Sequence, residues 1–302
     1  MSIETIVVIG CGQMGLGIAE ACASHGKTVR LVKATGGDTA KAEARLQKSL
    51  GRRLQKGKID QAEHDAILAR LSLTTELAVE DADLVIESAL EDFDTKVDLL
   101  RRLEERMAPG AILASNTSSL PLLRLSESVR RPTQFLALHF FNPAQVMRLV
   151  ELGVTEATAP GVIETCRQLC AAIDKTPVVV SASPGYVVNR LLTPYMLHAI
   201  ETLDAGVADA TSIDEAMKLG CGHPMGPLAL ADLIGLDVVR TMAETMGAEL
   251  ADSRYRIPAL LERLVDAGEL GRKAKLGLYD YREDPRNPRM NPGLRGVAEA
   301  AE

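Results

Sequence analysis

The sequence predicts an α/β chain, with a mostly parallel, helix-covered sheet in its first half and an all-α domain after it. Three observations predict this. The first half alternates short β-branched runs with helix-period segments, the pattern of a parallel sheet buried on both faces. A glycine-rich turn, Gly10-Cys11-Gly12-Gln13-Met14-Gly15, joins the first apolar run to the first helical segment. After Ser183-Pro184-Gly185 the strand-like alternation stops and only helix-period segments follow. At 302 residues, two domains is the expected number.

The expected strands are Thr5–Ile9, Thr28–Val32, Leu71–Thr75, Leu84–Glu87, Ala111–Ser115, Phe135–Phe140, Met147–Leu152 and Pro177–Ser181. A charged helical excursion, about 39–70, is longer than a crossover needs and reads as a projecting hairpin. Expected helices in the second half are Tyr186–Ala205, Ser212–Leu219, Pro227–Met246 and Pro258–Ala267, with Ser212 and Glu215 forming a capping box. The expected organisation is an α/β domain over 1–184 that carries the helical excursion, an all-helical domain over 185–282, and a loose polar tail over 283–302.

Composition excludes several function classes. A net charge of −7 gives no sequence-independent grip on nucleic acid, and 3% aromatics without Trp gives no stacking surface for single strands. The chain opens on the apolar run SIETIVVIG without a basic segment ahead of it, and no apolar run approaches a membrane span, so the reading is a cytoplasmic protein with no membrane partner. Cys166 and Cys170 share a helical face by their spacing, where burial is the simple reading. No Cys/His cluster has metal-ligand spacing, and neither a metal nor a disulfide is expected.

The glycine turn is a G-x-G-x-x-G in its required setting, after a strand and opening a helix. Gly10 makes the tight turn, Gly12 lets backbone approach a diphosphate, and Gly15 packs helix on strand. The first-turn amides, at Gln13, Met14 and Gly15, then face the anion. An acidic residue normally ends the second strand and binds the adenosine ribose hydroxyls. Lys33 stands there instead. A lysine cannot accept hydrogen bonds from hydroxyls but pairs with a 2′-phosphate, so the cofactor is NAD or NADP.

Three further segments carry chemistry: Ser115-Asn116-Thr117-Ser118-Ser119; Leu138-His139-Phe140-Phe141-Asn142-Pro143 with Glu151 on the next strand; and Ser183-Pro184-Gly185-Tyr186-Val187-Val188-Asn189-Arg190. Oxidising a secondary alcohol requires a group that takes the hydroxyl proton. A neutral imidazole titrates in the right range, and a carboxylate on its other nitrogen fixes the tautomer and stabilises the imidazolium. His139 and Glu151, on neighbouring expected strands, suit these roles.

With these motifs, and with His223-Pro224-Met225-Gly226-Pro227-Leu228 downstream, the sequence resembles the 3-hydroxyacyl-CoA dehydrogenase family, and within it the short 3-hydroxybutyryl-CoA dehydrogenases, as far as about Tyr281. The resemblance implies a Rossmann-type first domain and hydride transfer between a nicotinamide dinucleotide and the 3-hydroxy or 3-keto group of an acyl-CoA. It implies that His139 is the base, oriented by Glu151, and that Ser118 and Asn189 hold the substrate and nicotinamide. It carries cofactor contacts to Asn116, Glu91, Lys96, Asn142 and Lys273, and coenzyme A contacts to Ser49 and Lys56. It also implies a homodimer through the helical domain. The alternatives are the same chemistry on a thioester of an acyl carrier protein, or a non-catalytic dinucleotide-binding relative. Two features depart from the family pattern: Lys33, and Ala274-Lys275 where Thr-Gly usually follows the lysine.

Overall fold

The computed structural model describes residues 2–294, and the end of the expected tail, 295–302, lies outside the described residues. The chain divides into two compact units between Tyr186 and Val187. The first unit runs β1 (Thr5–Ile9), α1 (Gln13–Ser24), β2 (Thr28–Val32), α2 (Ala40–Gln55), α3 (Gln61–Ala69), β3 (Leu71–Thr74), β4 (Leu84–Glu87), α4 (Phe93–Arg106), β5 (Ile112–Ser115), α5 (Leu122–Ser128), β6 (Phe135–Phe140), β7 (Leu149–Val154), α6 (Pro160–Ala172) and β8 (Thr176–Ser181). Its strands form one sheet in the order β3-β2-β1-β4-β5-β6-β7-β8. Neighbours are parallel except β6 and β7. The order reverses between β1 and β4, which opens a crevice beyond their carboxyl ends.

Alternate residues of each central strand feed two cores, as a period of two requires. Ile6, Val8, Leu136 and Leu138 pack with α1, α2 and α6 on one face. Val7, Ile9, Val85 and Phe135 pack with α4 and α5 on the other. Cys22, Cys166 and Cys170 are free thiols in the first core. The excursion is the hairpin α2–α3, and a capping box of Asp60 and Glu63 starts its second helix.

β7 begins two residues later than the expected Met147–Leu152. The backbone amides of Val146 and Met147 both donate to the Pro143 carbonyl, so the chain is still turning there and both side chains are exposed.

The second unit contains α7 (Val188–Asp204), α8 (Ala210–Cys221), α9 (Pro227–Ile234), α10 (Leu236–Leu250), α11 (Ala259–Asp266) and a short ladder of β9 (Tyr279–Asp280) with β10 (Arg289–Met290). Three expectations are corrected. The Asp209 carboxylate accepts from the Ser212 amide at 2.8 Å, so α8 is capped one turn earlier and the Ser212–Glu215 box does not form. The helix expected over Pro227–Met246 is two helices, because Gly235, at φ +107, ends one and starts the next. The tail from 283 is not loose throughout: β10 pairs with β9, and buried Asn291 donates to the Gly277 carbonyl at 2.7 Å. Pro194 lies inside α7 and leaves the Arg190 carbonyl without its helical donor, a place taken by the Tyr255 hydroxyl at 3.1 Å.

Candidate active site

At the glycine turn, Gly10 has φ +122, and a Cβ there would run into the Ser88 carbonyl oxygen, while one on Gly15 would run into the Gly10 carbonyl oxygen. Gly12 differs: a Cβ on it would meet nothing within 4 Å. Gly12 also caps α1 without a side-chain acceptor, so the amides of Gln13, Met14 and Gly15 are left for an external anion. An open, donor-lined helix start of this kind fits the diphosphate of a dinucleotide. Met14 packs against the first core, and the Gln13 amide donates to Asn142 Oδ1 at 2.9 Å, fastening the loop after β6 to the glycine turn. Lys33, at the end of β2, donates to the Asp38 carbonyl at 3.0 Å and has no carboxylate partner among the described residues. Burial pushes the Cys11 thiol up and the Lys33 ammonium opposes this, so Lys33 lies within electrostatic reach of the glycine turn.

The ends of β4 and β5 are tied by a buried polar network. Glu87 is fully buried and accepts from Lys96 Nζ, Ser115 Oγ and the Ala89 amide, each at 2.6 Å. Lys96 Nζ also lies 3.3 Å from Glu91. Glu91 in turn accepts from Thr117 Oγ1 at 2.6 Å, the Ser118 amide at 2.9 Å and the Ser119 amide at 3.2 Å. Burial raises the Glu91 carboxyl, but Lys96 and these donors outweigh it and hold it below the usual carboxylate range. Lys96 is 1% exposed, so its bearing on a cofactor passes through the carboxylates it pairs with. Asn116 joins the same frame, accepting from the Phe140 amide at 2.9 Å. The Ser118 hydroxyl has no protein partner among the described residues, although its amide is fixed.

His139 and Glu151 face each other across the antiparallel β6–β7 pair. Nδ1 of His139 lies 2.8 Å from Glu151 Oε2, and the two residues are 5% and 1% exposed. Nε2 of His139 has no protein partner among the described residues. Phe141 flanks the imidazole at 4.5 Å between ring centroids and Tyr186 at 5.4 Å. Tyr186 holds a left-handed backbone, φ +47, and its buried hydroxyl has no partner among the described residues. Burial pushes that hydroxyl's pKa up, and Glu91 and Glu151 add to the shift, which places Tyr186 near both carboxylates. Sequence reading missed Glu87 and assigned Tyr186 and Phe141 no role. A charged residue closing the otherwise apolar run Leu84-Val85-Ile86 was the available signal for Glu87; nothing in the sequence marked the ring packing.

The remaining expected residues are on other elements. Ser49 Oγ donates to buried Glu20 at 2.6 Å on the α1–α2 contact, and Lys56 is exposed at the end of α2. Asn189 and Lys273 belong to the second unit, Asn189 in the first turn of α7 and Lys273 on Asp237 at 2.6 Å.

Comparison with known proteins matches both halves of the chain. The family model described as 3-hydroxyacyl-CoA dehydrogenase, NAD binding domain, matches residues 5–183, and that described as 3-hydroxyacyl-CoA dehydrogenase, C-terminal domain, matches residues 185–281. The chain is 44% identical over 277 residues to a 3-hydroxybutyryl-CoA dehydrogenase of Clostridioides difficile, covering 91% of this chain and 99% of that protein. The crystal structure of (S)-3-hydroxybutyryl-CoA dehydrogenase PaaH1 from Ralstonia eutropha superposes with a TM-score of 0.89 at 41% identity, covering 93% of this chain and all (100%) of that one. FadB2 of M. tuberculosis gives a TM-score of 0.90 at 39% identity, with the same coverage, 93% and 100%. With both family models matched end to end over a doubly wound sheet and a helical unit, the chain belongs to the 3-hydroxyacyl-CoA dehydrogenase family.

Proposed function

We propose that the protein interconverts the 3-hydroxyl and 3-ketone of a short-chain acyl-CoA, using a nicotinamide dinucleotide. The observation that carries the reading is the buried 2.8 Å contact between His139 and Glu151 on paired strands. A general base must be held in one tautomer with its second nitrogen open, and this geometry supplies both conditions. His139 takes the 3-hydroxyl proton at Nε2 in oxidation and returns it in reduction. Glu151 keeps the proton on Nδ1 and stabilises the imidazolium. The bound nicotinamide supplies the hydride acceptor or donor.

The chain's other residues bind and orient. Gly10, Gly12, Gln13, Met14 and Gly15 hold the diphosphate; Asn116, Asn142, Glu91 and, through Glu91, Lys96 shape the nicotinamide end, with Lys273 from the second unit. Ser118 donates its free hydroxyl to the substrate oxygen, and Asn189 positions the thioester. Ser49 and Lys56 serve coenzyme A. Lys33 admits NADP beside NAD, because it offers a cation where an acidic residue would repel a 2′-phosphate. Short acyl chains are supported by relatives named for 3-hydroxybutyryl-CoA at 39–44% identity. The reading makes the protein a cytoplasmic homodimer associating through its helical unit, where Leu191, Leu219 and Leu233 are exposed. His139→Gln tests the core of it: kcat on 3-hydroxybutyryl-CoA should fall by about 10²–10⁴ with cofactor Kd unchanged. Near-normal kcat would remove His139 from the role.

A further inference from the structure

We propose that Tyr186 and Phe141 are positioning residues for the proton transfer, two aromatic rings that clamp the His139 imidazole so that Nε2 keeps one place and one direction. This rests on the dehydrogenase reading above. The Glu151 contact fixes only one atom of the imidazole, Nδ1, at 2.8 Å. Histidine χ2 is a broad, two-fold torsion, so one bond at Nδ1 leaves the ring room to swing and to flip. Misplacing a reacting group by about 1 Å costs about a hundredfold in rate. The far edge of the imidazole therefore needs its own restraint.

Strand geometry brings a ring up from each direction along β6. Side chains two positions apart share a face of a sheet. Phe141 follows His139 at that spacing, while Phe140 between them is buried in the first core. The Phe141 and His139 rings meet at 4.5 Å between centroids and 54° between planes. On the other side of His139 the same face carries Ala137 opposite Gly153, and Tyr186 fills the space over them: a Cβ on Gly153 would lie 2.6 Å from Tyr186 Cε1. From there the Tyr186 ring reaches the imidazole at 5.4 Å and 39°. Both separations are those of rings in packing contact. Tyr186 is 4% exposed and packs in the core covered by α4 and α5, which makes it a fixed wall.

The way Tyr186 is held separates a clamp from simple filling. Among the described residues, Asp174, Ala251 and Lys275 are exposed at positive φ, and Tyr186, at φ +47, is the buried non-glycine residue that shares this conformation. A bulky side chain in the left-handed region is strained, and such strain persists only where the surroundings over-determine it. The preceding turn helps to do so. The Tyr186 amide donates to the Ser183 carbonyl at 3.0 Å across Pro184 and Gly185, the latter at φ +75, the residue pattern of a type II turn. The Tyr186 hydroxyl is a second unfavourable feature, buried without a partner among the described residues. A residue serving only to fill volume needs neither. What both features deliver is an aromatic ring against the imidazole.

The test compares the full-length protein with Tyr186→Leu and Phe141→Leu, which each remove one ring, and with Tyr186→Phe, which keeps the ring and removes the hydroxyl. Initial rates on 3-hydroxybutyryl-CoA with NAD give kcat and KM. Nitrogen-15 NMR of the neutral imidazole gives the tautomer of His139, whose signals are identified by their loss in His139→Gln. Each leucine variant should lose about tenfold to a hundredfold in kcat with KM within about twofold, and should show a second His139 tautomer beside the Nδ1-protonated one. Tyr186→Phe should keep kcat within about twofold and a single tautomer. If Tyr186→Leu does not fold, half-buried Phe141 decides through its own variant. Leucine variants with kcat within about twofold of the parent overturn the proposal, as does a fall in kcat with the tautomer unchanged. An equal loss in Tyr186→Phe also overturns it, since the effect would then belong to the hydroxyl. If the parent does not turn over the ester, the dehydrogenase reading falls and the tautomers decide the clamp: a second one in the leucine variants supports it, and a single one overturns it.

Discussion

Replacing Glu151 with Gln isolates what the carboxylate does for the imidazole, because size and hydrogen-bonding reach are kept and only the charge is removed. The pair is nearly solvent-free, and Nδ1 and Oε2 are 2.8 Å apart. When His139 has taken a proton, an imidazolium and a carboxylate with charge centres about 4 Å apart attract by about 4 kcal/mol at an effective dielectric of 20. At 1.36 kcal/mol per decade, that attraction bounds the effect at about three decades in rate. The amide recovers part of it as a neutral hydrogen bond, so kcat should fall by about 10²–10³. Initial rates followed by nicotinamide absorbance give kcat, and fluorescence titration gives the cofactor Kd, which should stay within twofold. A melting curve confirms that the variant is folded. A folded variant with kcat within threefold of the parent would refute the reasoning, since the charge on Glu151 would then be irrelevant to the proton transfer.

Lys33→Asp should lower the ratio of kcat/KM for NADPH over NADH by at least about tenfold, because it replaces a cation for the 2′-phosphate with a repelling acceptor; an unchanged ratio would exclude Lys33 from cofactor choice. Tyr186→Phe removes a buried hydroxyl with no partner among the described residues, whose desolvation costs about 1–3 kcal/mol, so the melting temperature should rise by a few degrees; a fall would mean that the hydroxyl is bonded in solution. Asp232 is buried and its pKa is raised to about 6, chiefly by desolvation. Its folded form therefore binds a proton more tightly than its unfolded form. The stabilisation is complete below pH of about 4 and is lost as pH rises to about 6, a swing of about 3 kcal/mol. Denaturant midpoints of the parent and Asp232→Asn measured from pH 4 to 7 should diverge in that window, and parallel curves would contradict the shift.

Legibility in the sequence followed the range of the interaction that fixes each feature. Strands such as Thr28–Val32 and Phe135–Phe140, bounded by local patterning, appear where their residues placed them. Gly235 was harder: the apolar period runs on through Pro227–Met246, and only the observed φ of +107 reveals the break. Asp209 outcompeted Ser212 as the cap of α8, since two cap-type residues three positions apart are locally equivalent. The β9–β10 ladder joins positions nine and eleven residues apart in a proline-rich stretch, without a hydrophobic alternation to announce it. In the candidate site, His139 and Glu151 were readable as types of residue on neighbouring strands. The Tyr186 ring was not, because its place depends on contacts with distant residues of the sheet.

The antiparallel turn of β7 is what puts His139 and Glu151 on rigid backbone. In a wholly parallel sheet, residues beyond the strand ends sit on separate loops. Here the chain doubles back after Phe140, and His139 and Glu151 become directly opposed strand residues. Such partners have Cβ atoms only about 4.5–5.5 Å apart. Register is enforced from the opposite face, where Leu138, Phe140, Val150 and Leu152 are all buried in the first core. A slip of one residue would put Val150 and Leu152 on the polar side and the carboxylate among apolar side chains, at a cost far above that of a lost contact. The next pair on the same face of the ladder, Ala137 opposite Gly153, completes the device. A Cβ on Gly153 would overlap the Tyr186 ring, so the two smallest side chains in the ladder clear the space from which Tyr186 packs on the imidazole. Hydrophobic packing on one face thus specifies the geometry of a charged pair on the other, without needing a strong bond within the pair itself.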